Sequence, residues 1–208
     1  MPSKALSFKA LPLLGLCFSL LLFPAFWVNP TQAQSRACST DGNYEPPSST
    51  SRTIQLPDFG IEVDIPSNYR TMRRENGQVE ILHPDDFAML QCIAKGGYGG
   101  HGYYGESIEL VKPNRSMSLK DQTMRSMGYS TDAQGNRKPI AEVSNYDEGD
   151  FSGYIATSEI GYAVIFMGKI PGRSQLLQVT VFCDCEVSVE DLTNLLGNIR
   201  LMKQGVGQ

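Results

Sequence analysis

The stretch Phe151–Cys185, FSGYIATSEIGYAVIFMGKIPGRSQLLQVTVFCDC, sets the architecture of the chain. Phe151–Ser158, Tyr162–Met167 and Leu176–Cys185 are rich in β-branched and aromatic residues, and each reads as a strand. Glu159-Ile160-Gly161 and Pro171-Gly172-Arg173 are the breaks between them. Connections this short join antiparallel neighbours, because a parallel pair needs a crossover of about a dozen residues or more. The segment is therefore an antiparallel meander.

The same pattern extends towards the N-terminus. Ile140–Tyr146 precedes the meander across the turn Asp147-Glu148-Gly149-Asp150. Ile61, Val63 and Ile65 alternate with Glu62 and Asp64, which marks a half-buried strand closed by Pro66. Val79–His83, Phe87–Ala94 and Ser107–Val111 read as further strands, the second of them apolar on both faces except at Gln91 and so central in the sheet. Pro84-Asp85-Asp86 reads as the turn before it. Two helices complete the set. Ser118 and Asp121 frame a helix over Leu119–Met127 that Gly128 terminates. Ser188 caps a second, with Val189, Leu192, Leu195, Leu196, Ile199 and Met202 on one face. The expected class is α+β, an antiparallel sheet covered by two helices.

The opening Phe59-Gly60-Ile61-Glu62-Val63-Asp64-Ile65-Pro66 with Tyr69, the Ser118-Leu119 helix start and the closing strand–helix Leu176–Met202 resemble the family of PsbP, the extrinsic lumenal protein of photosystem II, and its bacterial relatives. The resemblance covers most of Thr53–Met202. It implies a PsbP-like α/β sandwich and a non-catalytic accessory role.

The N-terminal segment has the order of an export signal. Lys4 and Lys9 are followed by the uncharged run Ala10–Val28, the break Asn29-Pro30, and Thr31-Gln32-Ala33 with its small residues. Residues 1–33 are expected to be a signal peptide, with an uncleaved membrane anchor as the alternative. Residues 34–51 read as a linker and 52–203 as a single domain. The expected location is extracytoplasmic: periplasmic, secreted, or lumenal in a photosynthetic cell. The 208 residues carry 18 Lys+Arg against 22 Asp+Glu, a net charge of -4. Removing Lys4 and Lys9 with the signal makes this -6, which argues against nucleic acid and anionic membranes as partners.

Four cysteines remain outside the signal: Cys38, Cys92, Cys183 and Cys185. An even number in an exported chain points to two structural disulfides. With Cys92 on a strand and Cys183 and Cys185 sharing a strand face, Cys92–Cys183 and Cys38–Cys185 are the expected pairs. No metal site and no cofactor are expected, since Cys183-x-Cys185 lacks a second pair at zinc spacing.

Catalytic signatures are sparse. Gly105-Glu106-Ser107-Ile108-Glu109 begins like a nucleophile elbow but has Glu in the place of the second Gly. His83, Asp85, His101 and Ser107 would be the suspects in a hydrolase, the alternative to a binding protein. The unusual segment is Lys95–Gly105, with six glycines and three tyrosines. Tyrosine combines broad apolar contact with a hydroxyl, and glycine lets a loop adapt, so Tyr98, His101, Tyr103 and Tyr104 are candidate contacts to a protein or carbohydrate partner.

Intact mass of the protein from its native compartment is expected to correspond to a chain beginning at Gln34. Recovery of residues 1–33 in a membrane fraction would identify an anchor instead.

Overall fold

The computed structural model describes residues 36–38, 45–99, 104–131, 134, 137–159 and 161–203; the expected signal segment lies outside them. The fold is α+β, with antiparallel sheets and three helices. The meander forms as its sequence dictates. β8 (Ala141–Glu148), β9 (Phe151–Ser158), β10 (Ala163–Lys169) and β11 (Leu176–Phe182) pair in chain order. β5 (Gly105–Val111), β4 (Val79–Leu82) and β3 (Arg70–Arg73) extend the sheet on the other side of β11. The result is a seven-stranded sheet in the order β3-β4-β5-β11-β10-β9-β8. β6 (Tyr129–Thr131) and β7 (Arg137–Pro139) form a separate two-stranded ribbon.

A second, three-stranded sheet is built from β1 (Ser51–Leu56), β2 (Ile61–Pro66) and β12 (Ile199–Leu201). Alternation in β2 puts Ile61, Val63 and Ile65 into the core, where they meet Phe166, Val179 and Leu192. On its outer face Arg200 bonds Glu62 and Asp64, and that guanidinium, followed by the Thr53 hydroxyl, holds the Asp64 carboxyl below its ordinary range. Helix α3 (Val189–Gly197) lies beside this sheet over the same face of the larger one, with Leu192, Leu195 and Leu196 buried. Helix α2 (Leu119–Ser126) packs against β8, β9 and β10 and buries Thr123.

Aromatic packing fixes the middle of the core. The Phe166 ring meets Tyr146 and Phe151 edge-on, with centroids 5.3 and 6.3 Å away. Gly168, opposite Gly153 in the β9–β10 register, leaves the space that the Phe166 ring fills. A methyl group there would press on that ring and stand 2.7 Å from the Ser152 carbonyl oxygen.

The structure corrects four expectations. Phe87–Ala94 is not a central strand but belongs to helix α1 (Pro84–Ala94). His83 is its N-cap, Pro84 opens it, and Asp85 and Asp86 occupy its positive first turn; these are helix-start signals, which a turn also accommodates. The terminal helix stops at Gly197, and Ile199, whose spacing fits the helical stripe, instead pairs with Val63 in β12. Three helices therefore stand where two were expected. Because Cys92 is in the last turn of α1, it bonds Cys38, with Cα atoms 5.7 Å apart, and Cys183 bonds Cys185, with Cα atoms 4.9 Å apart. The pairs Cys92–Cys183 and Cys38–Cys185 do not form.

The described parts of segment 34–51 are tied to the body. Ala37 forms a parallel bridge with Tyr98, and Ser48 and Thr50 bond Asn68 and Ser67. Disulfide Cys38–Cys92 closes a loop with a sequence separation of 54, which restricts the unfolded chain by on the order of 4 kcal/mol in the loop-entropy account. Replacing both cysteines with alanine is expected to cost ~2–4 kcal/mol in urea unfolding. A loss below about 1 kcal/mol would mean that the hydrogen bonds alone hold residues 36–38 in place.

Candidate functional site

Tyr104 and Gly105, the described end of the Lys95–Gly105 segment, and the start of α1 meet at one end of the sheet, where β4 ends and β5 begins. Residues 45–50 form a strap across this end. Glu45 donates its amide to the Asp85 carboxylate (3.0 Å), and its carbonyl accepts from His83 Nε2. The Asn68 side chain donates to the Glu45 carboxylate and to the Pro46 carbonyl, both at 2.9 Å. The strap covers His83, which is 0% exposed and edge-on to Tyr69 with centroids 5.6 Å apart. His83 Nδ1 accepts the Asp85 amide as the helix cap, so Nε2 carries the ring proton. Both ring nitrogens are engaged in holding structure.

Beside His83 lies a half-buried polar cluster. Tyr104 packs on the core, and its hydroxyl donates to Glu106 at 3.3 Å. Glu106 sits on the core face of β5, opposite Ile81 and Val181. Burial pushes its carboxyl up to about 7; the Tyr104 hydroxyl opposes the shift and the Asp191 charge adds to it. The Tyr104 phenol is raised above its ordinary range by burial and by these same two acids. Asp86 is also buried, which raises its carboxyl, while His83 opposes that shift. Among the described residues its Oδ2 has no hydrogen-bond partner.

The expected site residues separate into three groups. Tyr98 is 60% exposed, yet its backbone is held on both sides: its amide donates to the Arg36 carbonyl at 3.0 Å and its carbonyl accepts the Cys38 amide at 2.7 Å. Tyr104 is half-buried and packs against the core cluster. His101 and Tyr103 lie outside the described residues.

Among the described residues, the hydrolase suspects Ser107 and His83 lie on different sides of β5. Ser107 is buried, and alternation along β5 turns it away from Ile108 and the core, opposite Glu80 and Thr180. His83 is on the core side, against Tyr69. The His83 ring bonds the Glu45 carbonyl and the Asp85 amide, and Asp85 is engaged by Glu45. The arginines beside Tyr69 are also occupied. Arg73 pairs with Asp58 at 3.1 Å and Arg74 with Glu80 at 2.5 Å, while Arg70 donates to the Asn68 carbonyl at 2.9 Å.

A cleft of about 790 Å³ opens at the opposite end of β11, between Gly60, Ile170, Leu201 and Lys203. Its Arg173 donates to the carbonyls of Pro57 and Asp58, so the guanidinium is used in closing the turn beneath it. Sequence reasoning did not find this cleft, because it is formed by two turns and the end of β12, which are distant along the chain.

The chain matches no protein-family model, and no curated protein matches it.

Glu106 makes a pH signature. Its carboxyl titrates near 7 in the folded chain and at an ordinary 4.5 when free, so between these values the native state holds a proton that the unfolded chain has released. Its contribution therefore falls as pH rises from about 4.5 to 7. Glu106→Gln, which keeps a hydrogen-bonding group for Tyr104, is expected to gain ~1–3 kcal/mol over the parent at pH 8 relative to pH 5. Parallel stability curves for parent and variant in urea would show an ordinary, solvated carboxylate.

Proposed function

We propose that this is an exported, non-catalytic accessory or binding protein that contacts a protein or carbohydrate partner through the Lys95–Gly105 segment, with Tyr98 as the aromatic anchor. The observation that carries this reading is the contrast at Tyr98. Its ring is 60% exposed while its backbone is bonded on both sides to residues 36–38, next to the Cys38–Cys92 disulfide. An exposed ring on a fixed backbone loses little conformational freedom when it is covered, which is the economy that makes tyrosine effective in recognition.

Other features support the same reading. His83 and Ser107, two of the hydrolase suspects, are both buried, His83 edge-on to Tyr69 and Ser107 opposite Glu80. Two disulfides suit an oxidising compartment such as a periplasm or a lumen. The PsbP-like sandwich is our reading of the layers. It rests on an antiparallel sheet with α2 on one face and α3 with β1-β2-β12 on the other. The mature acidity leaves neither nucleic acid nor an anionic membrane as the natural partner.

The test compares the parent, Tyr98→Ala and Tyr104→Ala, each carrying a photo-crosslinking residue at exposed position 95, in native envelope extracts. Tyr98→Ala is expected to change stability by less than ~0.5 kcal/mol and to abolish a discrete adduct or saccharide-dependent shift seen with the parent. Tyr104→Ala is expected to lose ~1–3 kcal/mol through core packing. A collapse of stability in Tyr98→Ala would make it a packing residue, and an unchanged partner profile would remove it as the anchor.

A further inference from the structure

The two disulfides differ in what they join. Cys38–Cys92 links two segments with a sequence separation of 54, and Cys38 is buried. Cys183–Cys185 closes a loop with a separation of 2, directly after β11. That loop is anchored without it. The Cys183 amide donates to the Tyr162 carbonyl at 3.1 Å, and the Val187 amide to the Gly161 carbonyl at 2.9 Å. The covalent bond thus spans residues whose two sides are already fastened by backbone hydrogen bonds. Its two sulfurs are also unequal. Cys183 is buried, whereas Cys185 is exposed between exposed Asp184 and Glu186. The Cys185 amide points at Cys183 Sγ, 3.0 Å away.

We propose that Cys183-Asp184-Cys185 is a thiol–disulfide exchange site that reacts with a dithiol partner, a role separate from the Tyr98 contact. The chemistry follows from the asymmetry. A thiolate of the partner attacks the accessible Cys185 Sγ, forming an intermolecular S–S bond as the Cys183–Cys185 bond breaks. The electron pair leaves on Cys183 Sγ, where the Cys185 amide donates a hydrogen bond to the new thiolate before solvent protonates it. The partner's second thiolate then attacks its own sulfur in the mixed disulfide, and Cys185 leaves and is protonated. The partner dithiol loses two electrons and two protons and becomes a disulfide; the loop gains two of each. The reverse sequence oxidises the loop again.

The surroundings suit such an encounter. Tyr162 and Val189, 52% and 40% exposed, flank the loop and offer an apolar rim. Asp184, Glu186 and Glu190 surround it with negative charge, which favours a partner with a neutral or basic rim over an anionic thiol such as glutathione. Reduction leaves the fold standing, because the 161–162 and 183–187 backbone bonds do not depend on the sulfurs.

The test uses the folded, oxidised protein and the neutral dithiol dithiothreitol, with timed acid quenching, alkylation and peptide mass analysis. Cys183–Cys185 is expected to open at least tenfold faster than Cys38–Cys92, with the far-ultraviolet spectrum unchanged. A second arm uses single variants and cystamine, a cationic disulfide. Cys183→Ser is expected to form the mixed disulfide at Cys185 at least tenfold faster than Cys185→Ser forms it at Cys183. Two bonds opening at the same rate, or Cys183–Cys185 opening only when the fold is lost, would overturn the exchange site. Equal capture by the two variants would overturn the direction of attack.

Discussion

Burial of β10 on both faces is the constraint from which the other layers follow. Val164 and Phe166 point into the main core, and Ile165 and Met167 point the other way, yet all four are buried. A strand of this kind cannot sit at a sheet surface, so each face requires a cover. On one side α2 supplies it. On the other, α3 and the β1-β2-β12 sheet do so together, with Leu192, Leu196, Ile61 and Val63 meeting the Phe166 side. The glycine pair Gly153 and Gly168 belongs to the same logic: Gly168 leaves room for the Phe166 ring, and Gly153 leaves room for the backbone of β10 at Met167 and Gly168.

The polar groups at the far end of this core are organised by the strap. Glu45 binds His83 with its carbonyl and Asp85 with its amide, and these two contacts turn a histidine and a carboxylate that look catalytic in sequence into a helix start. Glu106, Tyr104 and Asp86 then share a space with little solvent, where burial works against ionised carboxylates. What the molecule offers to the outside at this end is aromatic surface instead. Tyr98 is presented by backbone bonds to residues 36–38, and Tyr162 stands beside the Cys183–Cys185 loop.

Much of the architecture was legible because local chemistry and tertiary demand agree there. The meander has β-branched runs and glycine turns, Ser188 and Asp191 form a capping box, and Gly128 takes the positive φ that ends α2. Legibility failed where two readings share one pattern. An eight-residue apolar run such as Phe87–Ala94 fits a buried strand or a helix, and only the weight given to His83-Pro84-Asp85-Asp86 separates them. That single misreading carried the disulfide pairing with it, since it placed Cys92 in the sheet. Strand β1 has only Leu56 buried, so it shows no alternation to detect. Ile199 fits both the helical stripe of α3 and a strand partner for Val63, and Asn198 at the helix end decides in favour of the strand. At the candidate site, the tyrosine-rich composition was visible, but which ring faces solvent depends on residues 36–38 and on Glu106, and neither relation is written locally.

The position of β12 governs the order in which this chain can become a finished body. β1 and β2 form a hairpin near the start of the domain, but their sheet is completed by Ile199–Leu201, and Arg200 reaches Glu62 and Asp64 across sequence separations of 138 and 136. β5 likewise waits for β11, since Glu109 finds Gln178 only 69 residues later. The longest run of pairing in chain order is β8–β11, in the second half. A chain emerging N-terminus first, from a ribosome or through a translocation pore, therefore passes most of its length before β2 and β5 gain their second neighbours. Closing such long loops is slow, and it leaves apolar strand edges open meanwhile. Such a topology leaves the three-stranded sheet open until late and makes β12 the latch that ends that condition.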